Sequence, residues 1–289
     1  MTDSSPHLST DAPHLGAEIR ARATTAGERL VLSLADEIAL SRQLGLSRRD
    51  VQIAAVKSQV LPLRYQRSFG TLGWAGQARL LESRALVVGA GGLGGYLVEG
   101  LARMGVGRIA VVDGDTFAEH NLNRQLYSTE ENLGRSKALV AAERGRLVNG
   151  AVEIVPHDLF LDELNADALV ADADVVLDGL DSIPSRLLLQ EAAARGEVPL
   201  VHGAIAGFYS QVMTILPGDP GLFRFYRREG APSRGIELEL GNPAPTPMLC
   251  AALQVAEAIK LLAGIGTLLR DRLLTIDAHD GYADVQELR

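Results

Sequence analysis

From about residue 80 the chain alternates between two rhythms. "ALVVGA", "IAVVDG", "EIVPHD" and "DVVLDGLD" are short apolar runs rich in valine, bounded by glycine or aspartate. Their length and composition predict buried strands. Between them, "GGYLVEGLARMG" and "SKALVAAERGRLVN" carry apolar residues at helical spacing. Strand–helix alternation of this kind predicts an α/β fold with helices on both faces of a parallel sheet, and right-handed crossovers favour a doubly wound, Rossmann-like order. After "PLVHGAIAG" the strand "YSQVMTILPG" follows almost directly, and "RLLTIDAHDGYADVQELR" reads as a hairpin around Asp280-Gly281. The sheet is therefore expected to be mostly parallel with an antiparallel extension.

The earlier part of the chain has a different pattern. Residues 1 to about 15 are polar with two prolines and are expected to form a disordered tail. Residues 16 to 62 are expected to be a small helical segment. "AGERLVLSLADEIALSRQ" carries Leu30, Val31, Leu34 and Ile38 at helical spacing, Gly45 ends the run, and Ser47 can cap a second helix through Val51, Ile53, Ala54 and Val56. Two helices around a glycine also suit a DNA-binding helix-turn-helix, although such hairpins are commonly plain packing units.

Composition narrows the classes. At 289 residues, 47% hydrophobic, the chain can bury a large core. No apolar run in the sequence approaches the roughly 20 residues of a membrane helix. The opening "MTDSSPHLSTDAPHLG" has neither a basic n-region nor an apolar h-region, so no secretory signal is expected. The one cysteine, Cys250, excludes an internal disulfide and a Cys-rich zinc site, and a cytoplasmic setting is expected. A net charge of -8 argues against a general nucleic-acid binder.

Ligands of doubly wound sheets bind at the carboxyl ends of the strands. The first strand ends in Gly89-Ala90-Gly91-Gly92-Leu93-Gly94 and opens a helix. Glycines lacking Cβ let backbone N–H groups approach a phosphate, and the helix N-terminus favours its charge. The second strand ends in Asp113, about 20 residues on, where a carboxylate accepts bonds from ribose hydroxyls. These features alone also fit an NAD(P)-dependent oxidoreductase. The stretch "VVDGDTFAEHNLNRQLYS" adds Asn121, Arg124 and Gln125 just beyond Asp113; Lys137 begins the next helix, and the fourth strand ends at Asp178 and Asp181. Hydride transfer needs neither these cations nor a metal-binding acid. Attack on a triphosphate needs both, because charge on phosphate oxygens must be neutralised.

At these residues the sequence resembles the ThiF/MoeB/HesA family, bacterial relatives of ubiquitin-activating enzymes. The likeness runs from "RYQRSFGTLGWAGQARLLESRALVVGAGGLGG" through "DGDTFAEHNLNRQ", "LGRSKA", "VLDGLDS" and "PLVHGA" to "LQVAEAIKLLAG", over residues 63 to 289. It implies an ATP-binding adenylation domain that activates the C-terminal glycine carboxylate of a ubiquitin-like sulfur-carrier protein, ending in Gly-Gly, with Mg²⁺-ATP. It implies that Gly89, Gly91, Gly92 and Gly94 belong to the phosphate loop, with Gly92 its matched glycine. It implies that Asp113 is the ribose acid, followed by Asp115. The same likeness implies that Asn121 and Arg124 contact phosphates, that Lys137 reaches them, and that Asp181 is linked to magnesium. Arg67, in "RYQR", is implied to be donated across a homodimer. Gln125 lies just outside the matched pair and is expected to hold the loop in shape.

Two departures from that family matter. The paired Cys-x-x-Cys zinc ligands of many relatives are missing, so no zinc is expected. The segment 217–247, where many relatives carry a reactive cysteine, has none, while Cys250 sits on the apolar "MLCAALQVAEAIKLLAG". The chemistry is then expected to stop at the acyl-adenylate, with sulfur delivered by another protein. Arg224, Arg227 and Arg228 beside Phe223, Phe225 and Tyr226 are expected to cover the carrier tail. A non-catalytic adaptor of the same fold, and a peptide or a modified tRNA base as substrate, remain alternatives.

Overall fold

The computed structural model describes residues 12–227, 229–230, 232–233 and 235–288. The chain divides into two compact units, residues 1–82 and 83–289. The division falls about 20 residues after the boundary expected at 62/63, so "RYQRSFGTLGWAGQARLLE" lies in the first unit.

The first unit contains helix α1 (Ala12–Arg22), strands β1 (Thr24–Ala26) and β2 (Arg29–Leu32), helices α2 (Leu34–Leu44) and α3 (Arg48–Lys57), the short strand β3 (Leu61–Pro62) and helix α4 (Phe69–Glu82). Two expectations change here. Residues 12–15, expected in the tail, are helical, while residues 1–11 lie outside the described residues. Leu30 and Val31 sit on β2, not on a helix: Thr24–Ala26 pairs antiparallel with Arg29–Val31 around Gly27, whose φ of +65° suits a tight turn. The expected stop at Gly45 holds, in a left-handed C-cap, and Ser47 caps α3 by accepting from the Asp50 N–H. Leu15, Ile19, Leu32, Leu40, Val51, Ala55 and Val60 form one buried cluster. Beside it, Glu37, 1% exposed, accepts from Arg48 at 2.7 Å and from the Gln52 amide at 2.8 Å, and the Tyr65 hydroxyl donates to Gln52 at 2.9 Å. The buried carboxylate is thus both paired and hydrogen-bonded.

The second unit follows the alternation read from the sequence. It runs β4 (Arg84–Val88), α5 (Gly94–Met104), β5 (Arg108–Val112), α6 (Lys137–Val148), β6 (Glu153–His157), α7 (Ala166–Val170), β7 (Val175–Asp178), α8 (Ile183–Arg195), β8 (Leu200–Ala206), β9 (Tyr209–Ile215), α9 (Glu237–Leu240), α10 (Pro245–Ala263), β10 (Arg272–Asp277) and β11 (Tyr282–Glu287). The eight-stranded sheet has the order β11-β10-β9-β8-β7-β4-β5-β6. From β6 to β8 all neighbours are parallel, and from β8 to β11 all are antiparallel. Pro156 is tolerated because β6 is an edge strand. Leu86, Val88, Val112, Val176, Leu187, Leu189 and Met213 belong to the buried cluster that joins the sheet to α8. Helix α10 packs against α5, β8 and β9. By length and composition α10, with 19 residues, could span a membrane, against the expectation that no apolar run approaches that length, but half of its most apolar window is buried.

The chain steps from β4 to β5 to β6 in one direction, then returns to place β7 on the other side of β4. That reversal opens a crevice at the carboxyl ends of β4 and β7, where ligands of such sheets bind.

Candidate active site

The ends of β4, β5 and β7 are tied together at the reversal. Gly89 N–H donates to Val112 O at 2.7 Å and Gly179 N–H to Val88 O at 2.8 Å. Gly89 has φ +91°, and a Cβ there would lie 2.5 Å from the Gly179 carbonyl oxygen. Only glycine suits that conformation and that approach. Gly94, the first residue of α5, packs against the same turn, since a Cβ on it would come within 1.8 Å of Gly89 O. Gly92 is different: a Cβ there would meet only Pro247, at 3.7 Å. The turn is therefore built by Gly89 and Gly94, while Gly91 and Gly92 face the cleft.

Asp113, one residue past β5, fixes the opposite wall. Its Oδ2 accepts from Ala90 N–H at 2.6 Å and its Oδ1 from Asp115 N–H at 2.8 Å. Burial raises its pKa, against the lowering effects of those two N–H groups and of Lys137. Lys137 is 7% exposed, and its Nζ donates to Asp115 Oδ2 at 2.9 Å. The start of α6 is tied to this wall through Lys137 N–H to Asp115 O, 3.0 Å, and Phe117 N–H to Arg135 O, 3.0 Å.

The polar run after Asp113 contains two short 3₁₀ turns, Glu119–Asn121 and Glu130–Asn132. In each, the asparagine Oδ1 accepts from the N–H three residues earlier, Ala118 and Thr129, at 2.9 Å. Asn121 is 2% exposed and is not among the cleft-lining residues. Its place is in the turn, where its carbonyl accepts from Arg124 and Gln125 N–H. Arg124 reaches the cleft with Nη1 bonded to His120 O at 2.8 Å. Burial lowers the Arg124 pKa, and the Asp181 charge opposes that.

One cleft thus brings together Gly89, Gly91, Gly92, Asp113, Asp115, Arg124, Lys137 and Asp181. It leaves out Gly94 and Asn121, which support it. Arg67 lies in the first unit, exposed in the turn before α4. The cleft also holds residues that the sequence reading missed or assigned elsewhere. Gln125, expected to hold the loop, lines the cleft with a buried Oε1 that has no hydrogen-bond partner. Phe160 lies against Gly114, where a Cβ would be 2.7 Å from its ring. Arg186 enters from α8, and Glu237 and Asn242 from the segment 217–247. The expected part of that segment is not the one at the cleft. Arg224 pairs with Asp271 at 3.2 Å, Arg227 is exposed, and Arg228 lies outside the described residues.

These groups suit a Mg²⁺ nucleoside triphosphate. Among the described residues no three His, Cys, Asp or Glu side chains converge to hold a metal alone. Magnesium commonly needs only one or two carboxylates when phosphates and water complete its shell, and Asp181 lines the cleft on the side of the Gly89 turn. Cys250 does not line the cleft: it is fully buried, and burial pushes its thiol up to about 12.

Comparison with known proteins agrees with this geometry. Over 222 residues the chain is 39% identical to the SAMP-activating enzyme E1 of Haloferax volcanii, covering 75% of this chain and 82% of that protein. It is 37% identical over 224 residues to the sulfur carrier protein adenylyltransferase of Thermus thermophilus, covering 74% and 83%. It is 36% identical to the probable adenylyltransferase/sulfurtransferase MoeZ of Mycobacterium tuberculosis, of which it spans 60%. The solved structure of E. coli MccB with ATP has a TM-score of 0.66 at 18% identity, covering 87% of this chain and 82% of that one, a likeness of fold. The ThiF family pattern matches residues 64–289, and the chain belongs to the ThiF family.

Proposed function

We propose that the chain is an ATP-dependent adenylyltransferase that activates the C-terminal glycine carboxylate of a ubiquitin-like sulfur-carrier protein. The observation that carries this is the meeting of the glycine turn, Asp113, Arg124, Lys137 and Asp181 in one cleft. The carrier's carboxylate oxygen attacks the α-phosphorus, the bond to the β-phosphate oxygen breaks, and pyrophosphate leaves with its electron pair. Lys137 and Arg124 neutralise the charge that builds on the phosphate oxygens. Asp113 accepts from the ribose hydroxyls. Magnesium, held by Asp181 and the phosphates, would add charge neutralisation there.

The relatives' names support the substrate class: one is a SAMP-activating enzyme and another a sulfur carrier protein adenylyltransferase. A Gly-Gly tail would thread beneath the segment bearing Glu237 and Asn242. The acyl-adenylate would then pass to a nucleophile outside this chain, because the thiol of Cys250 is buried and held protonated. A homodimer in which each site receives Arg67 from the partner copy completes the proposal, in a cytosolic setting. The test is ATP–pyrophosphate exchange against a panel of purified carrier proteins. Exchange that depends on a Gly-Gly carrier supports the reading. Calorimetry showing tight NAD binding and no ATP binding would refute it.

A further inference from the structure

The strand-end acid Asp178 is not part of the cleft lining, yet it is 1% exposed and surrounded by polar groups. A carboxylate so deeply buried must be compensated. Its Oδ1 accepts from Leu180 N–H at 2.9 Å, and its Oδ2 lies 2.6 Å from His202 Nδ1 and 3.5 Å from Arg186 Nε. Its own carbonyl accepts from the Gln254 amide at 2.8 Å. Arg186, in the first turn of α8, donates Nη2 to Leu180 O at 2.7 Å. The two side chains of one ion pair therefore hold both backbone polar groups of Leu180.

The turn they hold has little freedom elsewhere. A Cβ on Gly179 would lie 2.7 Å from Gly89 O and 3.1 Å from Val88 O, so the turn is pressed against the glycine loop. Asp181 follows Leu180 directly, and the peptide that carries it is fixed at its oxygen by Arg186. Burying an ion pair here costs desolvation that apolar side chains would avoid. The pair earns its place through the geometry that it imposes on the next residue.

We propose that Asp178 and Arg186 are positioning residues that set the Asp181 carboxylate for metal binding over the glycine turn. This rests on the assignment of Asp181 given above. Groups that orient a metal ligand commonly change metal affinity by about 10- to 100-fold when altered. Asp178→Asn keeps an oxygen for Leu180 N–H but removes the charge that faces both His202, at 2.6 Å, and Arg186, at 3.5 Å. Arg186→Lys keeps the charge but not the second donor, and serves where Asp178→Asn folds poorly.

The experiment measures Mn²⁺ affinity by electron paramagnetic resonance with a non-hydrolysable ATP analogue, and the affinity for that analogue in EDTA by calorimetry. Thermal unfolding checks the fold. Folded Asp178→Asn and Arg186→Lys variants should bind Mn²⁺ at least about tenfold more weakly, while metal-free nucleotide affinity stays within about twofold in Asp178→Asn, whose residue does not line the cleft. Asp181→Asn is the reference. If Asp181→Asn weakens Mn²⁺ binding and the other two do not, this inference fails while the assignment of Asp181 stands. If Asp181→Asn has no effect, both fail. An equal loss of metal-free nucleotide affinity in Arg186→Lys would make Arg186 a direct nucleotide contact and overturn its positioning role.

Discussion

Gly94→Ala and Gly92→Ala differ by two positions and should fail in opposite ways. At Gly94 the new Cβ would stand 1.8 Å from the Gly89 carbonyl oxygen and 2.6 Å from its carbon. An ordinary carbon–oxygen approach is about 3.3 Å, so the start of α5 would have to retreat by roughly 1.5 Å. The obstacle is backbone, in a turn already pressed against Gly179, so relief by side-chain rotation is closed. Overpacking costs about 1–3 kcal/mol, and this case belongs at the upper end. For a unit of this size that lowers Tm by roughly 6–12 °C. At Gly92 the Cβ would meet only Pro247, at 3.7 Å, and φ is not positive. Stability should change by less than about 0.5 kcal/mol. The methyl would stand where the phosphate must approach the backbone, so ATP affinity should fall at least about tenfold, or 1.4 kcal/mol. Thermal unfolding and ATP calorimetry on both variants separate the cases. A Gly94→Ala protein as stable as the parent would refute the packing argument, and normal ATP binding by Gly92→Ala would move the phosphate away from this turn.

Lys137→Ala and Arg124→Ala should fold normally and lose about 10²–10³-fold in pyrophosphate exchange; near-normal exchange in either would remove its assigned role. Because burial raises the Asp113 pKa, the native state holds that proton more tightly than the unfolded chain. Its contribution to stability is therefore present in acid and lost as pH rises through the folded pKa. ATP affinity should change the other way, falling as pH drops through the same range, above that of an ordinary carboxylate. Calorimetry across pH should show this acid limb vanish in Asp113→Asn, and a limb that persists would refute the ribose assignment. Cys250→Ala should keep its exchange activity, and metal analysis should find no stoichiometric zinc; a folded but dead variant, or one zinc per chain, would reverse that. Arg67→Ala should be inactive alone and recover partly when mixed with Lys137→Ala, because a heterodimer has one site with both residues intact. No recovery after verified subunit exchange would place Arg67 outside the partner's site.

The parallel strands were legible because they are buried on both faces. "ALVVGA" and "DVVLDGLD" carry no polar alternation, and only a covered sheet explains that. The helix ends at Gly45 and Ser47 were legible because each is a local device. The hairpin at Thr24–Leu32 was misread because Leu30, Val31, Leu34 and Ile38 fit a helical period across what is a strand and a helix joined at Ser33. The competing signal, Gly27-Glu28 between two short runs, was present. In the site, topology and the family likeness together pointed to Asp113, Arg124, Lys137 and Asp181, and these four line one cleft. Asn121 was expected to contact phosphate beside Arg124; its Oδ1 serves Ala118 N–H, and it does not line the cleft. The parallel spacing of Thr129 and Asn132 was the clue to that local role. Arg186, Glu237 and Asn242 had no such clue. They reach the cleft from α8 and from a long excursion after β9, and no local pattern encodes where such an excursion returns.

The charge balance of the cleft bears on how the reaction is completed. Among the described lining residues the cations are Arg124, Lys137 and Arg186, and the acids are Asp113, Asp115, Asp181 and Glu237. Two of the cations are already engaged, Lys137 with Asp115 at 2.9 Å and Arg186 with Asp178 at 3.5 Å. The lining has no positive surplus to offer a triphosphate, whose oxygens cannot be left uncompensated in a partly desolvated cleft. Asp115 keeps the Lys137 ammonium directed along the wall before nucleotide arrives, which lowers the reorganisation needed when a phosphate oxygen replaces the carboxylate. The remaining charge has to come from outside the lining. Magnesium can supply part of it through Asp181. An arginine from a second copy can supply the rest, at the stage when the pyrophosphate departs and its charge is largest. If the proposed homodimer supplies that arginine, a monomer would bind Mg²⁺-ATP but turn over poorly, and the second copy would matter to the chemical step more than to nucleotide binding.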